Sequence, residues 1–63
     1  MTAENAGFRA GDVYQALAAA GNALSLEEIA KQANISVEDA ILGIGWLFKE
    51  GKIKEEDNKV ALA

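Results

Sequence analysis

The chain has 63 residues and is predicted to form one domain, over residues 1–63, that buries roughly 60% of the surface its unfolded chain exposes. Histidine and cysteine are both absent, which excludes a disulfide framework, zinc sites built from those residues, and a serine or cysteine nucleophile with a histidine base. Ten acidic residues against six basic ones give a net charge of −4, whereas free-standing nucleic-acid binders usually carry a basic surface.

Apolar residues that repeat at the helical period predict a first helix over roughly residues 10–20, which a Gly-Asn pair terminates. Whether this helix begins earlier stays open, because Gly7 and Gly11 each cost about 1 kcal/mol relative to alanine inside a helix. In that earlier segment, Phe8 is the expected apolar anchor. The repeating residues are Ala6, Ala10, Val13, Leu17 and Ala20.

Two capped helices follow the first one. Ser25 is followed by Glu28 in a capping-box pattern, which predicts the start of a second helix. Asn34 is a suitable left-handed terminator for it, and Ser36 caps a third helix with Asp39 in the capping-box position. A short turn between two such helices is typical of a helix-turn-helix.

The end of the chain predicts a small β-hairpin. The third helix is expected to end at Gly51, and two alternating segments then flank a turn at residues 56–58. Because an isolated hairpin is only marginally stable, we expect it to pack on the helices and to pair with the extended residues 23–24. The inward side chains are expected to be Ile53, Val60 and Leu62. The predicted fold is α+β, mainly α: a winged helix-turn-helix of three helices, a short strand and a C-terminal hairpin wing.

The third helix has two predicted faces when residues are placed at about 100° per step. The face toward the core is expected to hold Val37, Ala40, Ile41, Ile44, Leu47 and Phe48. The outward side is expected to hold Glu38, Asp39, Leu42, Gly45, Trp46, Lys49 and Glu50. Leu42 and Trp46 lie one turn apart beside Gly45, so they predict an outward apolar patch. The alternative is that Trp46 folds under the wing or the Phe8 segment of its own chain.

Two functions remain open. In the first, the chain is a protein-interaction module, expected as a homodimer or with another protein partner, and its candidate interface residues are Phe8, Leu42, Gly45 and Trp46. In the second, it regulates transcription by placing the helix at 36–50 in the major groove, and its candidate DNA contacts are Ser36, Lys49, Lys52, Lys54 and Lys59. We favour the first, because Glu38 and Asp39 would repel phosphates near the start of that helix and the whole chain is acidic.

Catalysis and ligand binding find little support in the side chains. The densest acidic group, residues 55–58, lacks the spacing of a calcium loop and is interpreted as a solvated turn. We therefore expect no enzyme, no cofactor, no metal and no small-molecule substrate. No apolar run approaches the length of a membrane span, and residues 1–4 do not begin a signal peptide, so no membrane partner is expected and the cytoplasm is the expected location.

Three motifs also carry a family resemblance: Glu4-Asn5-Ala6-Gly7, Val13-Tyr14-x-x-Leu17, and Gly45-Trp46-Leu47-x-x-Glu50-Gly51-Lys52-Ile53. With these motifs the chain resembles a family of small bacterial and archaeal winged helix-turn-helix proteins with no assigned function. The resemblance covers essentially the whole chain, and the motif around Trp46 is its most specific part. It implies the winged-helix fold and supplies no catalytic or ligand-binding residues.

Overall fold

The computed structural model describes the backbone of residues 3–63 and the side chains from residue 6 onward. Met1 and Thr2, in the segment predicted not to be a signal peptide, lie outside the described residues. The elements are helices α1 (Ala3–Ala20), α2 (Leu26–Ala33) and α3 (Val37–Lys49), followed by strands β1 (Ile53–Glu56) and β2 (Lys59–Leu62). Three helices followed by an antiparallel two-stranded hairpin confirm the predicted winged-helix architecture.

Helix α1 begins well before the predicted boundary near residue 10 and runs through Gly7 and Gly11. The low helix propensity of these two glycines is offset by packing. Ala6 and Ala10 are both buried, and α1 makes its most extensive contacts with α3. Phe8 does not anchor this segment as predicted, since it is 70% exposed. Small alanine side chains therefore hold the first turns of α1, and the one large apolar residue there faces solvent.

The caps of α2 are those that the sequence predicts. The Glu28 backbone N–H donates to Ser25 Oγ at 3.1 Å, and the Ser25 backbone N–H donates to Glu28 Oε1 at 2.8 Å, which completes the capping box. Asn34 ends the helix in the left-handed conformation, with φ 58° and ψ 47°. The predicted start and end of α2 are thus confirmed.

The capping box makes the stability of α2 dependent on pH. The hydrogen bond from the Ser25 backbone lowers the pKa of Glu28 most, with smaller contributions from the Ser25 hydroxyl and from the charge of Lys59. A lowered folded-state pKa stabilises the fold above the unfolded-state value of roughly 4.3, and this contribution disappears as pH falls through the folded-state pKa. We expect Glu28→Gln, which keeps an acceptor but removes the charge, to melt below the wild type at neutral pH.

Thermal unfolding at about pH 7 and about pH 3 tests this expectation. The difference in Tm between wild type and Glu28→Gln should shrink toward zero at the lower pH. Glu27→Gln is the matched control, because Glu27 lies next to Glu28 in the first turn but has no part in the capping box. A difference that persists unchanged at low pH, or that is equal for both variants, would contradict this origin of the pH dependence.

The hairpin has a tight two-residue turn. Strands β1 and β2 pair from Ile53↔Leu62 to Glu56↔Lys59. The turn residues Asp57 and Asn58 both have positive φ, at 52° and 65°, as a two-residue hairpin turn of the favoured twist requires. Glu56 therefore belongs to the strand and not to the predicted turn.

The predicted pairing of residues 23–24 with the hairpin is confirmed at one position. Leu24 forms an isolated antiparallel bridge with Val60. The bridge has two backbone hydrogen bonds, from Leu24 N–H to the Val60 carbonyl at 2.9 Å and from Val60 N–H to the Leu24 carbonyl at 2.8 Å. Ile53 is buried as predicted, while Val60 and Leu62 are partly buried against the same core. The hairpin is thus attached to the helices through both backbone and side chains.

Helix α3 is rotated relative to the prediction. Val37, Ile41 and Phe48 were predicted to face the core, but they are 39%, 54% and 46% exposed. Ala40 and Leu47 are buried as predicted, and Ile44 is partly buried against the core. Gly43, which was not placed on the predicted core face, is buried as well. The predicted core face is wrong at Val37, Ile41 and Phe48, because α3 is turned so that Gly43 lies against α1.

Gly43 accounts for this rotation. A Cβ atom built on Gly43 would lie 2.5 Å from the carbonyl oxygen of Arg9 and 2.9 Å from Cγ2 of Val13. The two helix backbones thus meet at a distance that only glycine permits. With Gly43 facing α1, Val37, Ile41 and Phe48 lie on the outward side of α3.

Candidate interaction surface on the third helix

Three large apolar side chains occupy the solvent-facing side of α3. Val37, Ile41 and Phe48 are spaced by four and seven residues, the helical period, and so form one line along the helix. We call these three residues the apolar stripe. Sequence reasoning missed it because α3 is apolar on most of its circumference, and a wheel does not tell which part of such a helix meets the core. The available signal was Gly43, which marks the side of closest backbone approach.

A shallow hollow lies beside the apolar stripe. It has a volume of about 380 Å³ and is lined by Ala6, Ile41, Leu42, Gly45, Trp46 and Lys49. Its floor is open at Gly45, because a Cβ atom added there would meet no atom within 4 Å. We call this feature the Gly45 hollow. Three of the four predicted interface residues, namely Leu42, Gly45 and Trp46, come together in it.

Trp46 packs in part on its own chain. The side chain is partly buried and packs against the core cluster. On its other side it lines a second hollow, of about 340 Å³, together with Gly7, Gly11 and Tyr14 of α1. Lys49 Nζ lies 5.2 Å from the centroid of the Trp46 ring, a cation–π contact at the edge of the Gly45 hollow. Trp46 is therefore a wall of this surface and not a side chain projecting from it.

Phe8 does not join the other predicted interface residues. At about 100° per residue it lies on the face of α1 opposite the buried Ala6, Ala10 and Leu17. It lines neither the Gly45 hollow nor the hollow beside Tyr14. Phe8 is thus a separate exposed apolar residue.

The two acidic residues at the start of α3 point in different directions. Asp39 is partly buried, and its Oδ2 lies 3.4 Å from Nε of Arg9 on α1. Arg9 also donates from Nη1 to Asp12 at 2.7 Å, so its guanidinium lies between two carboxylates. The Asp39 backbone N–H donates to the Ser36 hydroxyl at 3.0 Å, which confirms Ser36 as the cap. Of the two predicted acids, only Glu38 remains fully on the outward side.

The residues predicted to contact DNA are spread over several local interactions. Lys49 lies over the Trp46 ring. In the hairpin, Lys54 Nζ is 3.8 Å from Glu56 and Lys59 Nζ is 4.0 Å from Glu28. All four candidate lysines are exposed, and two of them, Lys54 and Lys59, lie near carboxylates. The four lysines thus belong to two elements, Lys49 to α3 and the other three to the hairpin and the residue before it.

Metal binding and membrane insertion are two further possibilities for the described part of the chain. Among the side chains of residues 6–63, no three acidic groups lie together in a way that could hold a metal ion. Within residues 3–63, no helix combines the length and the apolar character that crossing a bilayer requires.

Comparison with known proteins identifies the family. The sequence model of the winged helix-turn-helix domain (DUF2582) matches residues 1–63. No curated protein matches the chain significantly, and no solved structure does. The match extends over the three helices and the hairpin described above. The chain therefore belongs to the winged helix-turn-helix domain (DUF2582) family.

Proposed function

We propose that this winged helix is a non-enzymatic module that acts through protein–protein contacts made by the outward side of α3, in the simplest case with a second copy of itself. The apolar stripe carries this proposal. Val37, Ile41 and Phe48 are exposed on the helix that would enter the major groove in a DNA-binding winged helix. Contiguous apolar residues beside an apolar hollow are typical of surfaces that another protein covers.

The same stripe argues against base reading. Side chains that specify bases in the major groove mostly form hydrogen bonds with base edges, and apolar residues contribute contacts with the thymine methyl group only. None of the three stripe residues has a polar side-chain atom. Glu38 adds a negative charge on the outward side, and the chain has a net charge of −4. DNA phosphates near the outward side of α3 would thus be repelled by Glu38 and by the net negative charge of the chain.

DNA binding remains the second candidate because of one observation. Lys52, Lys54 and Lys59 are all exposed on or next to the hairpin, where a wing contacts the DNA backbone. Such a mode would use phosphate contacts, so its affinity would fall steeply with salt. Duplex DNA titrated at low and at moderate salt distinguishes this candidate from the first.

We expect Ile41→Asp to weaken self-association strongly. Ile41 is exposed, so aspartate is tolerated in the monomer, whereas a covered interface would bury an unpaired charge. The dissociation constant of the dimer should rise by roughly a hundredfold or more. Light scattering over a wide range of protein concentration measures the change in molecular mass.

Ala19→Asp is the matched control, since it adds the same charge at an exposed position of α1 away from α3. Circular dichroism should show the same helix content for both variants. If Ile41→Asp and Ala19→Asp associate equally well, the outward side of α3 is not the interface. A wild-type monomer that binds duplex DNA with a steep salt dependence would replace this proposal with the second candidate.

A further inference from the structure

We propose that the outward side of α3 binds a second copy of the same chain, with the two α3 helices antiparallel about a twofold axis that crosses the outward side at the level of position 43. This arrangement rests on the proposed function and specifies its partner. It is inferred from three features of α3 that are each self-complementary about nearly the same point: a projecting side chain with a hollow, an apolar line, and a pair of opposite charges.

The projecting side chain and the hollow are Ile41 and Gly45. Ile41 is the most exposed residue of the apolar stripe, and Gly45 lies one turn farther along, where a side chain would meet only open space. In an antiparallel pair centred on position 43, Ile41 of each copy lies opposite Gly45 of the other. Each isoleucine then fills the Gly45 hollow of the second copy, and the missing side chain permits close backbone approach.

The ends of the apolar stripe match each other in the same arrangement. The midpoint between Val37 and Phe48 along α3 lies between positions 42 and 43. Val37 of one copy therefore lies near Phe48 of the other at both ends of the contact. An isologous interface requires such self-complementarity, because the same patch is used by both copies. All three stripe residues are covered without any other segment.

The positions of Glu38 and Lys49 favour antiparallel over parallel packing of the two α3 helices. Glu38 and Lys49 are both exposed, and at about 100° per residue they lie on the same flank of the stripe, roughly 16 Å apart along the axis. In antiparallel helices the same flank of each helix faces that of its neighbour, so Glu38 of each copy meets Lys49 of the other. Parallel packing about a twofold axis would not bring these opposite charges level with each other.

Charge reversal tests the arrangement. We expect Glu38→Lys and Lys49→Glu each to weaken the dimer by about tenfold, because opposite charges are replaced by like charges at both ends of the interface. The double variant Glu38→Lys/Lys49→Glu should return to within about threefold of the wild-type affinity. Sedimentation equilibrium measures the dissociation constants, and thermal unfolding shows whether Lys49→Glu stays folded without its contact to Trp46.

Glu55→Lys is the matched control. It makes the same change of charge at an exposed position of β1 that lies outside α3. Because the copies are acidic, this change alone should strengthen the dimer slightly by reducing long-range repulsion. If Glu38→Lys weakens the dimer, the change in net charge cannot be the cause, because that change alone would strengthen it.

Disulfide capture gives a second test, since the natural chain has no cysteine. When Glu38→Cys and Lys49→Cys chains are mixed and oxidised, we expect the covalent dimer to contain one chain of each variant in large excess. Either variant alone should form much less. Predominant self-linking of Glu38→Cys would overturn the antiparallel arrangement.

The outcomes separate the two proposals. A dimer that Ile41→Asp disrupts, but that responds to Glu38→Lys as it does to Glu55→Lys, overturns the antiparallel register and leaves the proposed function standing. A wild-type chain that is monomeric at every concentration overturns this inference and the homodimer with it. Rescue by the double variant supports both.

Discussion

Replacement of Gly43 with alanine is expected to lower the free energy of unfolding by about 3 kcal/mol, the upper end of typical overpacking costs. The added Cβ would lie 2.5 Å from the carbonyl oxygen and 2.6 Å from the carbonyl carbon of Arg9. These are backbone atoms, so no change of side-chain rotamer relieves the contact, and α1 and α3 must separate. For a domain of this size the loss corresponds to a fall in Tm of about 12 °C or more.

Chemical denaturation followed by circular dichroism and by the fluorescence of Trp46, the single tryptophan, measures this loss. Gly11→Ala is the matched control, because Gly11 is also inside a helix but a Cβ there would meet no atom within 4 Å. It should be neutral or stabilising by up to about 1 kcal/mol. Equal stability of the two alanine variants would show that the close contact at Gly43 does not limit the packing of α1 on α3.

Truncation of Ile29 to alanine is expected to cost about 3 kcal/mol or more. Ile29 is 0% exposed and is one of the largest fully buried side chains, in the cluster where α2 meets α1 and α3. Its removal loses transfer free energy and leaves a cavity that a small core does not refill. A domain of this size has a free energy of unfolding of only roughly 3–9 kcal/mol, so much of its stability depends on this side chain. Urea titration gives the free energy of unfolding.

Ile29→Val provides the graded comparison for this site. It removes one methylene group and should cost about 1 kcal/mol. A cost that rises from valine to alanine is the expected result for a tightly packed site. If alanine is no worse than valine, the surrounding helices collapse onto the space, and the core is less rigid than its burial indicates.

Much of the architecture could be predicted because it depends on local chemistry. Ser25 with Glu28, and Ser36 alone, satisfy amides within three residues of themselves, so short sequence patterns are enough to locate the helix starts. Asn34 needs only its own left-handed conformation to end α2. The outline of three helices and a hairpin followed from such signals.

The orientation of α3 could not be predicted in the same way. Apolar residues occupy more of its circumference than the core can cover, so periodicity leaves the buried side undecided. The outcome depends on how closely the backbone of α1 can approach, and that is a contact between residues far apart in the sequence. Val37, Ile41 and Phe48 were placed on the wrong side for this reason.

The candidate surface was predicted in part. Leu42, Gly45 and Trp46 do lie together, because residues three and four apart share one side of any helix. Phe8 does not join them, since its position depends on how α1 is turned against α3. Likewise, the ion pair between Arg9 and Asp39 links two helices and has no local pattern.

The bridge between Leu24 and Val60 has a consequence for how the domain folds. It joins the loop after α1 to the last strand, so the polypeptide must bring together segments from opposite halves before these two hydrogen bonds can form. Closing such a long loop costs entropy that only the assembled helices can offset. The hairpin is therefore expected to form late, and a chain shortened before β2 would lose the strand that secures both halves.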